Sequence, residues 1–424
     1  MIFRVAGALC AALLVVHALP TSAQQSVQRK GAGLTLLHAL QSAVASNPRL
    51  TSAERAIAMA DGRREQAGAL PNPTLGVEVD NFAYGQNGLV NGAEFTLQIS
   101  QLFELGGKRE ARVQAALGDY DTARWEREAT KLELLSETAI AFVEAMAAQR
   151  RIGILDRQAA ALEKLLPLMQ QRVEAGASSP AEVSRTRAAV GLARLERERA
   201  GLSLAVARRE LAALMGSDRP AFATVVGDFG HIARPAPLGD AMKAIDDNPQ
   251  LMRWTAVRAQ RDASLLSARL KPLPDITAGV ALRHYGESNQ NAVRLGVSIP
   301  INVLDRNTGA IREAQELVRR TEAERAANRL ALIAVVAKAH DTATAALAQA
   351  DLLRRSVLPA ARAALKTIEE GHGQGRFTLL EILDAYRTVF DAELMEHEAL
   401  ASFHTAIATI EGLTGSPLKL ARTR

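Results

Sequence analysis

Apolar and polar positions along this chain change period in a fixed order, and the order occurs twice. Over 36–70 the spacing is helical, and Pro71 and Pro73 end it, because proline can neither continue a helix nor supply its amide. Period two follows. Leu75, Val77 and Val79 alternate with Gly76, Glu78 and Asp80; after a turn rich in Gly and Asn, Phe95, Leu97 and Ile99 alternate with Thr96, Gln98 and Ser100. In the second half Ile276, Ala278, Val280 and Leu282 alternate with Thr277, Gly279, Ala281 and Arg283, and Val293, Leu295, Val297 and Ile299 with Arg294, Gly296 and Ser298. These patterns predict four strands in two hairpins, at about 74–103 and 275–302.

Each hairpin leads into helical pattern too long for an ordinary domain. From 107 to 174 no Gly/Pro cluster interrupts it, although Gly118, Gly153 and Pro167 are expected to weaken or bend it locally. Nearly 70 residues at 1.5 Å each reach roughly 100 Å. Leu135, Ala139, Phe142 and Met146 follow four-three-four spacing, as do Leu379, Leu383, Tyr386 and Phe390, which is the spacing of coiled-coil seams. Gly176-Ala177-Ser178-Ser179-Pro180 and Gly371-His372-Gly373-Gln374-Gly375 mark the turns between paired long helices. Ser179 before Pro180, and Thr378 with Glu381 three residues on, have the form of helix starts.

Four ordered anchors make the halves copies of one pattern. Asn47-Pro48-x-Leu50 recurs as Asn248-Pro249-x-Leu251, Pro71-x-Pro73 as Pro272-x-Pro274, Gly176 with Glu182 as Gly375 with Glu381, and Gly216 as Gly415. The expected division is 24–217 for the first repeat, 218–236 for a linker, 237–415 for the second repeat and 416–424 for a tail. Before these, Arg4, an apolar run over 5–19 and Pro20-Thr21-Ser22-Ala23 form a secretory signal, residues 1–23, cleaved after Ala23. The run is shorter than the roughly 20 residues of a spanning helix. The only cysteine, Cys10, lies inside the signal, away from the cleavage point, so neither disulfide, thiol chemistry nor lipid anchor is expected.

No later stretch approaches 18 uninterrupted apolar residues, which leaves a soluble chain or one that crosses a membrane as strands. A half-buried sheet in a soluble protein would alternate in the same way. Against it stand strands of about 10 residues, the length a membrane strand needs, and a polar face carrying Glu78, Asp80, Arg283 and Arg294 as a wet lumen would. Four strands leave two open edges, which lipid does not tolerate. Closure therefore needs further copies, and sequence physics leaves two and three both open.

The duplicated order, with Glu104-Leu105-Gly106-Gly107-Lys108-Arg109 leading into one long helix and Phe377-Thr378-Leu379-Leu380-Glu381-Ile382-Leu383-Asp384-Ala385 opening the last, resembles the TolC family of outer-membrane efflux proteins. The Gly-Gly-Lys opening is most similar to its cobalt, zinc and cadmium efflux branch. That resemblance implies a mostly α fold with a membrane β-barrel: a homotrimer in which 12 strands share one barrel in outer-membrane lipid and 12 long helices continue it through the periplasm of a Gram-negative cell. It implies as partners a periplasmic adaptor and an inner-membrane pump of the RND class, with heavy-metal cations as cargo. It also makes Glu381 and Asp384 acidic positions at the periplasmic entrance, with Arg376, Glu182 and Arg185 as candidate contacts holding that entrance shut. Phe377 stands where some relatives are basic. On residue chemistry alone, Glu381 is equally a capping acid for the helix opened at Thr378, and Asp384 a solvated charge.

The net charge of +5, or +4 once Arg4 leaves with the signal, is spread over 51 basic and 46 acidic residues without an aromatic-interleaved basic stripe, so no nucleic acid is expected. Gly106-Gly107-Lys108 lacks the first glycine of a phosphate loop and has Arg109 where Ser or Thr is required. No two histidines have the i, i+4 spacing of a helical metal pair with an acid between them. No cofactor, resident metal or catalytic constellation is expected, and the chain is read as a conduit, not an enzyme. Two rival readings remain: the same channel with organic cargo, and a soluble periplasmic coiled-coil adaptor whose strands form a docking domain.

Overall fold

A computed structural model describes residues 33–81 and 92–415. The expected signal, the turn between the first two strands and the expected tail from 416 onward lie outside the described residues. In chain order the elements are β1 (Leu34–Thr35), α1 (Leu36–Ser46), α2 (Pro48–Gly68), β2 (Thr74–Asp80), β3 (Glu94–Phe103), α3 (Lys108–Glu174), α4 (Pro180–Leu214) and β4 (Val225–Val226). They continue as α5 (Leu238–Ala244), α6 (Pro249–Leu270), β5 (Ile276–Tyr285), β6 (Gln290–Ser298), α7 (Thr308–Leu352), α8 (Leu358–Gly373) and α9 (Leu379–Thr414). A 3-10 turn, Ile245–Asp247, precedes α6, and a π-helical turn, Leu353–Val357, joins α7 to α8.

The helix expected over 36–70 is two helices. Asn47 breaks it: its Oδ1 accepts from the Arg49 amide at 2.9 Å, Pro48 occupies the first helical turn, and its Nδ2 donates to the Leu214 carbonyl at 2.8 Å. Asn248 repeats the arrangement, accepting from Gln250 at 2.8 Å and donating to Leu413 at 2.7 Å. Each buried asparagine thus caps one helix while satisfying a carbonyl orphaned at the end of another, α4 or α9. The chain escapes both of those ends through left-handed glycines, Gly216 (φ 79°) and Gly415 (φ 66°). A side chain at Gly216 would lie 2.4 Å from the Ser46 carbonyl oxygen, so the α1–α2 break and the end of α4 are packed as one joint.

The four long strands form one antiparallel sheet in the order β2-β3-β5-β6. Its register puts Val77, Leu97 and Leu282 opposite one another, and Leu75, Ile99, Val280 and Leu295. Among the described residues nothing covers this face: Val77 is 71% exposed and Leu295 81%. The second sheet, a parallel pair of β1 and β4, has no counterpart in the sequence expectation. It is two residues long, and the Gln149 side chain completes it by donating to the Val225 carbonyl (3.2 Å) and accepting from its amide (3.1 Å).

α3 runs unbroken for 67 residues, Pro167 included. Gly118, expected as a weak point, is a contact instead, since a Cβ there would sit 2.7 Å from the Gln260 Cα where α3 crosses α6. In the second half the π turn precedes Pro359 and absorbs it. The stretch Thr308–Gly373 holds one 18-residue window apolar enough to cross a membrane by composition, mean hydropathy 1.4, which the sequence reading did not anticipate; α7 packs along α9. Near the sheet the helices lie in the order α2-α3-α6-α7, and further away in the order α4-α3-α9 with α7 and α8 beyond. A core of Leu34, Phe142, Leu211, Phe222, Phe229 and Leu400 joins the halves at mid-length.

Asn47→Asp and Asn248→Asp keep a capping oxygen but replace the donor with a carboxylate facing a carbonyl. Each should lower stability by about 1–3 kcal/mol, the cost of orphaning a buried group, although Asp caps helices as well as Asn does. Thermal denaturation followed by circular dichroism checks this; unchanged midpoints would assign the asparagines to capping alone.

Candidate functional site: a polar sheet face and the far helical turns

Cross-strand pairing places Glu78 beside Thr96 and Thr96 beside Arg283, Asp80 beside Glu94, and Ala281 beside Arg294, all on the face opposite the apolar one. Asp80 and Arg283 are brought together as an ion pair. Arg283 also reaches Glu94 at 3.1 Å and donates to the Thr96 hydroxyl at 3.0 Å, so one guanidinium ties three strands, β2, β3 and β5. Thr96 is buried under it. Among the described residues no ion pair is found for Glu78 or Arg294, which stay exposed on the same face. Glu94 escaped the sequence reading although its parity with Thr96 and Gln98 already put it on the polar side.

At the sheet's base the Glu104–Arg109 segment makes the strand-to-helix junction. Gly106 and Gly107 are left-handed, at φ 70° and 80°, and a side chain on Gly106 would collide with Leu273 at 2.3 Å. Lys108 crosses to the second half, donating to the Leu273 carbonyl at 2.6 Å and to Asp275 at 2.9 Å, while Glu104 takes a two-pronged bond from Arg112 at 2.5 and 2.9 Å. The Gly-Gly-Lys motif is therefore a joint between halves.

At the other end, where α3 turns into α4 and α8 into α9, Arg172 donates to Ser178 (3.2 Å) in one turn and to the His372 carbonyl (3.1 Å) in the other. Buried His372 donates through Nδ1 to the Phe377 carbonyl at 2.8 Å. Gly371 is required there: a Cβ would lie 2.5 Å from the Phe377 ring. Neither Arg172 nor His372 was read as a contact from sequence, because the bond that joins the two turns spans 200 residues and leaves no spacing pattern.

The capping alternative for Glu381 is what the geometry shows. Its carboxylate accepts from the Thr378 amide at 2.6 Å and hydroxyl at 2.8 Å, and the Thr378 hydroxyl accepts from the Glu381 amide at 3.4 Å, a complete capping box. The Thr378 amide holds the Glu381 carboxyl below the usual carboxylate range. Asp384, one turn further along α9, is exposed, as are Arg376 and Arg185, while Glu182 is half-buried in the first turn of α4. Within one chain no ion pair joins any two of these five among the described residues.

The sequence profile of the family described as "Outer membrane efflux protein" matches residues 39–217 and 241–416. The chain is 30% identical over 389 residues, 91% of each chain, to the cobalt-zinc-cadmium resistance protein CzcC of Cupriavidus metallidurans. It is 26% identical over 284 residues, 67% of each chain, to the nickel and cobalt resistance protein CnrC of the same organism. The fold superposes on a crystal structure of CusC with a TM-score of 0.77 at 16% identity, covering 89% of this chain and 91% of that one.

Substitutions separate the two acids. A carboxyl whose folded-state pKa is depressed contributes stability above its unfolded pKa and loses it as pH falls through the folded value. Glu381→Gln should therefore lower the melting temperature at pH 7, with the difference from wild type vanishing as the pH drops below the carboxylate range. Asp384→Ala, at an exposed position one turn further along α9, should leave melting at pH 7 unchanged and alter single-channel cation preference in planar bilayers. Equal melting of wild type and Glu381→Gln at pH 7 would contradict the capping role.

Proposed function

Because the chain belongs to the outer membrane efflux protein family, we propose that it closes with further copies of itself into a channel that carries divalent heavy-metal cations out of the cell. It works in the outer membrane and extends into the periplasm, and its role is transport, not catalysis. The observation that carries the proposal is the sheet. Its apolar face is bare, its polar face is charged, and β2 and β6 present unpaired edges, so lipid outside, water inside and another copy at each edge satisfy all three at once. A docking domain on a soluble adaptor would instead pack its apolar face against its own protein.

The helices share the sheet's asymmetry. In every layer one margin is built by the first half (β2, α2, α4) and the other by the second (β6, α7, α8), so copies join head to tail. Three copies give 12 strands, a barrel wide enough for a polar lumen. Within it Arg283 is neutralised by Asp80 and Glu94, while Glu78, with no ion pair among the described residues, remains as a lumen carboxylate. At the periplasmic end three Asp384 carboxylates form an acidic ring, with Arg376, Glu182 and Arg185 available for contacts between copies. The adaptor and an RND-class pump supply energy and selectivity there; the channel itself needs no tight metal site, since a conduit that held its cargo would not pass it.

Metal cargo is supported by the names of the similar proteins, CzcC and CnrC. Deleting the gene should lower the tolerated concentration of zinc, cobalt or cadmium more than that of organic drugs, and Glu78→Gln in the restored gene should lower single-channel cation preference without changing protein level. Sensitivity confined to organic drugs would favour the same channel with organic cargo.

A further inference from the structure

α4 carries two seams. Val190, Ala193, Ala200, Leu204, Ala207 and Leu211 are buried on the side that packs against α3. Leu192, Leu195, Leu202 and Val206 each stand two residues further on and are bare, Leu202 at 71% exposure. In a coiled-coil helix of 3.5 residues per turn, two residues place the second seam about 154° round from the first. Seen from one member of a closed ring, its two neighbours lie about 150° apart in a ring of 12 helices and about 135° apart in a ring of eight. The bare seam is thus aimed where the next helix of a large ring would lie.

Ion pairs show what lies level with it. Arg197 of α4 bonds Asp156 of α3 at 3.0 Å, Arg157 of α3 bonds Glu393 of α9 at 2.7 Å, and Glu393 also holds Arg362 of α8 at 2.7 Å. Arg354, in the π turn, bonds Glu396 of α9 at 2.6 Å. This belt links α4, α3, α9, α8 and the π turn from one margin to the other. Beside Arg197, on the α4 margin, stands Glu198; beside Arg354, on the opposite margin, stands Arg355. Their side chains are 73% and 80% exposed, and among the described residues their ion-pair partners are near in sequence, Arg197 and Asp351. Leu352 and Arg355 follow the buried Ala350 and Leu353 by two residues, the same offset that the bare seam has on α4.

We infer that the belt is completed between copies: the bare leucine seam of α4 packs on the Leu352–Arg355 face of the neighbouring copy, and Glu198 pairs with the neighbouring copy's Arg355. The occupant is a second copy because only another chain brings the opposite margin, at the same height and of opposite charge, to α4. Acids flanking an apolar heptad seam, Glu196 and Glu198 here, are the positions that set partner and orientation in coiled coils. This rests on the closed-ring reading above.

The test uses full-length protein in outer membranes. Cys10 is the only natural cysteine and lies in the predicted signal, so the double variant Glu198→Cys/Arg355→Cys carries one engineered pair per mature chain. Oxidation should give a ladder ending in a covalent ring that reducing agent abolishes, and neither single variant should cross-link. In parallel, Glu198→Arg should lower the temperature at which the assembly dissociates in detergent, and adding Arg355→Glu should restore it. An assembly that is multimeric by mass yet yields no ladder, with no restoration by the charge swap, would overturn the seam while leaving the ring intact. A single-chain mass for the unaltered protein would overturn both.

Discussion

A strand edge exposes backbone amides and carbonyls that water can satisfy and lipid cannot, at several kcal/mol for each group left unpaired. In this molecule that cost falls on β2 and β6, because the sheet's bare apolar face leaves the membrane as the medium around it. The other features follow from the need to close. The sheet's polar face becomes a lumen only if the edges meet, and the unmatched seam on α4 is buried only if the ring of helices closes with it. A chain of four strands cannot meet its own edge, so the channel proposed above needs more than one copy.

Joining copies demands that each chain present two margins at fixed height, and the duplicated bonds supply that rigidity. Asn47 and Asn248 tie helix starts to the last turns of α4 and α9. Gln101 closes the base of the first hairpin onto the Pro71 carbonyl at 2.7 Å, and Asn302 closes the second onto the carbonyl of Pro272, the counterpart of Pro71, at 2.9 Å. Between the halves, Lys108 with Asp275 locks the sheet's base and Arg172 with His372 locks the far turns. The long helices are thus pinned at both ends and in the middle, where the Phe229 ring packs at a tilt against His397 and His404.

Period two made the strands and their two faces readable from sequence, since alternation depends on no distant partner. Long helices were readable for the same reason. What escaped was long-range. Asn47 stood out as a repeat anchor, yet apolar spacing continues through it, so a break between helices was not expected. β1 and β4, two residues each, have no period to detect. Glu381 could be read as either cap or entrance acid, and only the bonds from Thr378 decide its engagement. Gly106-Gly107-Lys108 pointed to a family from sequence, whereas its physical task, turning the chain and reaching Asp275, needed the second half in place.

Closure of the sheet edges between copies is visible directly by electron cryomicroscopy of the detergent-solubilised protein. Three copies should form one 12-strand barrel, with β2 of each chain paired to β6 of the next and α4 beside the neighbouring copy's α7–α8 junction. A sheet with open edges, or a ring closed by a different number of copies, would contradict it.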